Sequence, residues 1–564
     1  MSQRAIDQRQ KLSFTPSDPL EVMQQVRLAP RLVEDYRPVS ECLEWRLSEK
    51  HWRKTGTVSF THSEVPYTIT NSGTLSAQAA LLLHANCLET RPKGKIPVLE
   101  TGAGTGMFAR LFLEEFERLC STSGHPFYSQ ITYYVTDDSE ESVRQWRELR
   151  IFQDKPAVLG VAQGSDPLLV DTGSEKIRLS KLRAAFANYV IDSMGSAVLR
   201  NSASGPEELH IRTHLVEDPK AFRKDFDTSV EELREMASIT DPRLLELLNV
   251  LEFEAVFLPI SRNYPHMDEA LTFGHDWPRI MLNYGAMEYI ERVLDGLDKN
   301  GLILANDYGM TQASESVGLG SIQRFGPTAA MGINFPLLAH HLTSRGFRAI
   351  RPDQDENLPL HPILFMTREM PSTEKRFLET FALEIHRRMN APSESARKFL
   401  EGGAVEQAGR AYEEALRVRP RDWALMGEIT EFLLRHVGDY EAGRKMAETA
   451  LSMNPWYSVW LWNLLGDALY ALRHFQEAHE IYLKAEALSP NDVRTALNLG
   501  YTYWELGRPA EALQALARGL AEDGSGQFRA RIMEKQAQIL EGVAQRFGRE
   551  QEWLARRATR LSAC

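Results

Sequence analysis

Three glycines at alternate positions, Gly102, Gly104 and Gly106, follow the apolar run 96–99 and a single acid, Glu100. Glycine removes the β-carbon where a backbone must turn sharply from strand to helix and pass close to a ligand. The spacing Gly-x-Gly-x-Gly differs from the dinucleotide fingerprint Gly-x-Gly-x-x-Gly. The Glu100 carboxylate, two residues ahead of the first glycine, also suits a cationic group better than a pyrophosphate. A second set of reactive or polar residues, Asn188, Asp192, Asp307 and Tyr308, lies at or just past the ends of later strand-like runs. Ligands of open α/β sheets bind beyond strand C-termini, which makes this set the candidate catalytic group. Loop-capping hydrogen bonds are the alternative use of such short polar side chains.

Around these residues the chain must build a sheet. Phe108, Leu111, Phe112, Phe116 and Leu119 recur at helical spacing directly after the glycines, so the loop opens an amphipathic helix packed on strands. Strand-like runs are expected at 97–99, 131–136, 157–161, 184–188, 301–306, 347–351 and 362–367, alternating with helical segments as in a mainly parallel sheet. Pro97 is acceptable only as the first residue of its strand. The stretch 202–276 exceeds a simple crossover, and its middle part, 215–250, reads as helical. It is expected to be an insertion that shapes a substrate pocket. Segment 261–289, with Arg262, Tyr264, His266, His275, Asn283 and Tyr284, is the expected acceptor lining, and Gln163 and Asp166 are weaker candidates beyond the third strand. For a lone histidine such as His266 or His275 the commoner role is a packed, hydrogen-bonded side chain. Before the sheet, 20–43 reads as helical, and 67–75 as a loop leading into a helix capped by a small polar residue.

The C-terminal third repeats. Ala408, Ala442, Ala478 and Ala512 are 34, 36 and 34 residues apart, and Pro420, Pro455 and Pro490 are 35 and 35 apart. This is the period of tetratricopeptide repeats, whose helix pairs stack into a solenoid. Within one unit Trp462, Leu465, Gly466, Ala478, Tyr482, Ala485 and Pro490 fall at the positions that pack one helix on its partner, and Ala496, Leu499, Gly500, Tyr503, Ala512 and Leu516 echo them in the next.

With 564 residues the chain holds two or three domains. Its net charge of −12 argues against a general grip on nucleic acid or anionic lipid. Cys42, Cys87, Cys120 and Cys564 show no metal-ligand spacing, so the expectation is a reducing compartment without a disulfide framework and without a metal site. No run has the length and apolarity of a signal peptide or membrane span, and the expected location is cytoplasmic. Residues 1 to about 20 are expected to be loosely held.

The residues together resemble the MidA-type S-adenosylmethionine (SAM)-dependent methyltransferases, whose mitochondrial relatives are protein arginine methyltransferases supporting respiratory complex I assembly. The resemblance covers 68–367, roughly half of the chain. It rests on Thr70-Asn71-Ser72, on the loop from Glu100 to Gly106, on Tyr134-Val-Thr-Asp137-Asp-Ser139 with Arg144-Gln145, on Asn188 to Asp192, and on Asn306-Asp307-Tyr308-Gly309. It implies a seven-stranded Rossmann-like class I methyltransferase domain and SAM as cofactor. Glu100, Gly102, Gly104, Gly106, Asp137, Ser139 and Asn188 would bind that cofactor, with Asp137 on the ribose hydroxyls. Tyr189 stands where the family has glutamate, so the carboxylate that would orient a guanidinium is missing. Thr328-Ala329 and Asn334-Phe335 match loosely a threonine-alanine-histidine segment, without its histidine.

The expected layout is a helical segment 1–66, a methyltransferase domain 67–385 with an insertion at 202–276, repeats 386–545 and a tail 546–564. The expected activity is methyl transfer to a protein or peptide recruited by the repeats. A small-molecule N- or O-methyltransferase and a non-catalytic assembly protein that retains the SAM fold are the alternatives.

Overall fold

The computed structural model describes residues 29–58, 68–318, 322–325, 328–352 and 360–561. The expectations for 1–20, Tyr67 and Cys564 lie outside the described residues. The described residues divide into two compact units. Among the described residues, one gathers those within 29–54, 192–288 and 309–341, and the other those within 55–191, 289–308 and 342–561.

The larger unit is built on a nine-stranded mixed sheet. Its spatial order is Arg348–Ile350, His361–Met366, Leu297–Asp307, Leu182–Asn188, Ile96–Thr101, Ile131–Asp137, Ala157–Val161, Leu169–Asp171 and Lys176–Arg178. The five central strands, from Leu297–Asp307 to Ala157–Val161, are mutually parallel. Numbered along the chain, they lie side by side in the order 5-4-1-2-3. The two strands at one edge and the hairpin at the other run antiparallel to their neighbours. All seven expected strands are present; the edge hairpin, three residues per strand, was too short to leave a period in the sequence. Pro97 is the second residue of its strand rather than the first. It pairs with Thr132 on one side, and the ladder to the other neighbour begins only at Val98, so its missing N–H falls where that second ladder has not started.

The helix Met107–Ser123 seats its expected face on this sheet. Phe108, Phe112 and Phe116 are buried, and the Phe112 ring lies 5.1 Å from Phe186 and 5.3 Å from Tyr133. Each such ring contributes about 1.5–3 kcal/mol by burial, enough to pin the helix start and with it the glycine loop. The same apolar core continues through Leu75 and Leu83 into Trp423, Met453 and Leu464 of the C-terminal helices.

Those helices follow the expected period, with a register correction. Ala408, Ala478 and Ala512 are fully buried, whereas Ala442 is partly exposed. Gly443 takes the packed position instead, where a β-carbon would come within 2.7 Å of Leu434, and the spacing through Gly443 is a regular 35, 35 and 34. Gly466 lies under Tyr482 and Gly500 under Leu516, each too close for a side chain. Helix Arg529–Leu561 runs through the described part of the segment expected as a tail, 546–561.

The smaller unit corrects the reading of the N-terminus and of the insertion. Leu32–Pro38 is a strand, not part of a helix, because it pairs antiparallel with Gly205–Leu215. That long strand also pairs with Ala197–Ser202 and Leu251–Pro259, and Ile280–Leu282 completes a five-stranded sheet. The expected helices at 215–250 are present as Pro219–Phe226 and Val230–Ile239, the second with a Ser229–Glu232 capping box. Helix Leu43–Thr55 is the helical part of the N-terminal segment.

Candidate functional site

Sheet order decides where a ligand can sit. In an open α/β sheet the crevice opens where neighbouring connections leave in opposite directions, outside the strand C-termini. Here that point lies between Ile96–Thr101 and Leu182–Asn188. The glycine loop leaves the first of these strands and Asn188 ends the second, so the structure brings the two expected groups to one place.

Gly102, Gly104 and Gly106 all adopt left-handed backbone, with φ of +64°, +53° and +75°. The loop is held from below and beside. The Gly104 amide donates to Asp137 Oδ2 at 2.9 Å, and its carbonyl accepts from the buried Trp146 indole at 2.9 Å. Gly102 has a different purpose from the one expected. A β-carbon there would meet Val190 Cγ2 at 2.4 Å, so this glycine makes room for the protein's own side chain rather than for a ligand. Val190 is presented by Tyr189, whose φ of +51° is uncommon for a bulky residue.

Asp137 ends the strand beside the loop. Its second oxygen accepts the Ser139 amide at 3.0 Å. Ser139 in turn is the N-cap of helix Glu140–Glu148, accepting from the Ser142 amide, a role that its sequence context did not reveal. Glu100 is almost fully buried and accepts from the Tyr133 hydroxyl at 3.1 Å. Burial raises its carboxyl to about 8; the Tyr133 hydrogen bond opposes this and the charge of Asp137 adds to it. Burial likewise lifts Asp137 to about 6, against the pull of the Ser139 and Gly104 amides. Glu100 therefore senses the charge of Asp137 across the loop.

Folded Glu100 holds its proton to higher pH than the unfolded chain, where a glutamate ionises near 4.3. The native state then carries more protons than the unfolded one between about pH 4 and 8, so the stability it contributes is complete below that window and lost as pH rises through it. Glu100→Gln is expected to flatten this slope by up to about 1.4 kcal/mol per pH unit. Urea unfolding of both proteins at several pH values checks it, and parallel slopes would refute it.

The candidate catalytic residues divide between the units. Asp307 is fully buried and spends both oxygens on backbone amides, Oδ2 on Ile191 at 3.2 Å and Oδ1 on Tyr308 at 2.9 Å. That is the capping use of the side chain, and it fixes the turn that carries the half-buried Tyr308. Asn188 accepts from Asn306 Nδ2 at 2.8 Å, while its own Nδ2 is buried without a hydrogen-bond partner. A donor left so at a strand end is a place for a ligand acceptor. Asp192 belongs to the smaller unit. Burial raises its carboxyl above the ordinary carboxylate range, and the Ser193 amide opposes that shift.

A further positioning element was only partly legible in sequence. Thr105, inside the glycine loop, donates to Asn71 Oδ1 at 2.9 Å. The Asn71 carbonyl accepts from the Trp423 indole at 2.6 Å, the Trp423 amide donates to the Ser72 carbonyl at 3.2 Å, and Thr74 donates to Asp422 at 3.1 Å. The expected polar cap of helix Thr74–Thr90 is instead Gly73, with φ of +107° and no capping side chain. A β-carbon there would lie 2.1 Å from the Arg421 carbonyl. The second repeat, whose first helix Trp423–Phe432 begins at these residues, thus clasps the segment that holds the glycine loop.

Other expected residues have different employment. Asp166 is paired with Arg178 at 2.6 Å across a surface turn that includes Gln163. In the smaller unit His275 is exposed and paired with Asp276 at 2.9 Å, and Arg262 is paired with Glu41. Tyr264 donates to buried Glu208 and stacks on Tyr284 at 5.1 Å. Asn283 accepts the Asn334 amide at 2.8 Å and donates to Ser196 at 3.1 Å. These contacts stabilise the unit internally, and the expected acceptor lining is largely consumed by them. His266 instead meets Glu269 and His341, a cluster that no sequence spacing announced.

Comparison with known proteins bears on the repeats. Residues 459–521 match the tetratricopeptide repeat family. A segment of 84 residues is 34% identical to Protein O-mannosyl-transferase TMTC3 of Mus musculus, covering 14% of this chain and 9% of that relative, so the chain spans under a tenth of its length. Among solved structures, Pseudomonas aeruginosa pilF is similar at 20% identity and a TM-score of 0.26, over 29% of this chain and 72% of that one. MamA from Desulfovibrio magneticus RS-1 is similar at 17% identity and a TM-score of 0.24, over 29% and 96%. The first TPR of Spaghetti (RPAP3) bound to an HSP90 peptide is similar at 19% identity and a TM-score of 0.20, over 22% and 94%. The C-terminal helices are tetratricopeptide repeats, a class whose stacked surfaces commonly bind other proteins. Among the described residues no helix is long and apolar enough to cross a membrane.

Proposed function

We propose that the chain is a SAM-dependent methyltransferase with a seven-stranded Rossmann-like core, acting on a protein or peptide acceptor that the repeats recruit. The observation that carries this reading is the meeting, at the reversal of strand order, of a left-handed glycine loop with Asp137 at the next strand end and an unpartnered amide of Asn188. The donor set fits the cofactor. Glu100 and Asp137 are acids beside a loop that opens a helix, and Asn188 Nδ2 is a donor in want of an acceptor. Glu100, Gly104, Asp137, Ser139 and Asn188 would hold SAM, which when bound supplies an electrophilic methyl group. Gly102 and Gly106 shape the loop from behind. Tyr308, on the turn fixed by Asp307, is the residue of the expected catalytic set left to orient an acceptor, and Asp307 acts through it as a positioning residue.

The array of repeats supports a macromolecular acceptor, since it adds an interaction surface that a freely diffusing metabolite does not need. The described cysteines, all free and buried, support a reducing, cytoplasmic setting.

Calorimetry with SAM tests the reading. The native protein is expected to bind, and Gly104→Val to lose binding by about 100-fold, because a branched side chain is strained at φ of +53° and distorts the loop. No binding by the native protein rejects the proposal. Incubation of native lysate with tritiated SAM then identifies the acceptor: label on polypeptide supports a protein substrate, and label on metabolites rejects it.

A further inference from the structure

We infer that His266, Glu269 and His341 form a binding site for one divalent transition-metal ion of the zinc class, in the compact unit that does not contain the glycine loop. Their donor atoms all lie within 4.8 Å of one another. His341, on helix Phe335–Ser344, is fully buried, and its Nδ1 is 2.8 Å from Glu269 Oε2. The His266 ring meets the His341 ring edge-on at 4.3 Å between centroids.

The chain accepts strain to bring His266 there. It stands immediately before helix Met267–Phe273 with φ of +61°, left-handed backbone that costs a non-glycine residue roughly 1 kcal/mol or more. Glu269 follows three residues later, on the same side of the same turn. A simple histidine–carboxylate ion pair accounts for His341 and Glu269. A second imidazole, in left-handed backbone, lies against that pair, and a shared cation would draw on all three donors at once.

Ligand chemistry selects the ion. Two imidazoles and one carboxylate are donors for zinc and its neighbours, whereas calcium and magnesium take sets built from oxygen. Ligand atoms about 2.1 Å from a tetrahedral ion are about 3.4 Å apart, so small side-chain shifts convert the present cluster into a chelate. Three protein ligands leave one position open for water or an exogenous donor. The site stands apart from the methyltransferase reading and is tested without SAM.

The experiment uses the full-length, tag-free protein, with calorimetric titration of Zn²⁺ and visible absorption of Co²⁺ as a coordination probe. One equivalent of tightly bound metal is expected, with Co²⁺ absorption of a low-coordinate nitrogen and oxygen site. His266→Gly removes a ligand and suits the left-handed backbone, so the variant keeps its fold while affinity falls by about 100-fold or more. Glu269→Gln preserves shape and removes the anionic ligand, with an expected loss of about 10–100-fold. Circular dichroism verifies that both variants are folded. Loss in both variants supports the site; no stoichiometric uptake by the native protein, or uptake retained by either folded variant, overturns it.

Discussion

Trp423→Ala is expected to lower the unfolding free energy by about 3–5 kcal/mol, the usual cost of emptying a large buried aromatic site. Trp423 is 1% exposed, lies in the core shared by the sheet and the repeats, and donates its indole N–H to the Asn71 carbonyl. Its removal leaves both a void and a buried carbonyl without its donor. The consequence reaches the glycine loop, because Asn71 is also the acceptor for Thr105. SAM affinity of the folded variant is therefore expected to drop by about tenfold, one hydrogen bond's worth of positioning. Leu516→Ala is the control. It empties a buried site against Gly500, far along the array in sequence, and is expected to lose comparable stability without altering SAM affinity. Urea titration and calorimetry read both effects. Equal SAM affinities for native and Trp423→Ala would show that the second repeat does not position the loop.

Asp137→Ala is expected to weaken SAM binding by about 100-fold. The carboxylate accepts the amides of Gly104 and Ser139, one on each oxygen, and each such hydrogen bond to a charged group is worth about 1.5–3 kcal/mol. Without it the loop loses a lateral tether and the start of helix Glu140–Glu148 loosens, in addition to any direct contact with the cofactor. Asp137→Asn keeps one acceptor oxygen and is expected to fall between native and alanine. Calorimetry on folded protein decides it. Undiminished binding by Asp137→Ala would place the cofactor elsewhere and end the proposed function.

Much of the sheet is legible in the amino-acid sequence, and so is the helix after the glycines. Each depends on a few consecutive residues whose period matches one backbone geometry. The capping role of Asp307 was also open to inspection, since short polar residues at strand ends have that common use. The purpose of Gly102 was not. A glycine in a loop looks the same whether a ligand or a distant valine approaches it, and Val190 lies 88 positions further on. The edge hairpin and the strand Leu32–Pro38 escaped for a related reason. A strand of three residues carries no measurable alternation, and Leu32–Pro38 is a strand because Gly205–Leu215 pairs with it, not because of its own propensities.

By itself the amino-acid order determined the local units: the strand, glycine loop and helix from Ile96 to Ser123, and a repeat whose period of about 35 residues is written in small side chains. Only the tertiary structure chose between Ala442 and Gly443 as the packed position, seated Trp423 against Asn71, and assembled His266 and Glu269 with a histidine 72 residues beyond the glutamate. The physical reason is range. Hydrophobic period and turn chemistry act over one or two turns of chain, while close packing and shared ligation act between surfaces that meet only after the sheets and helices have formed.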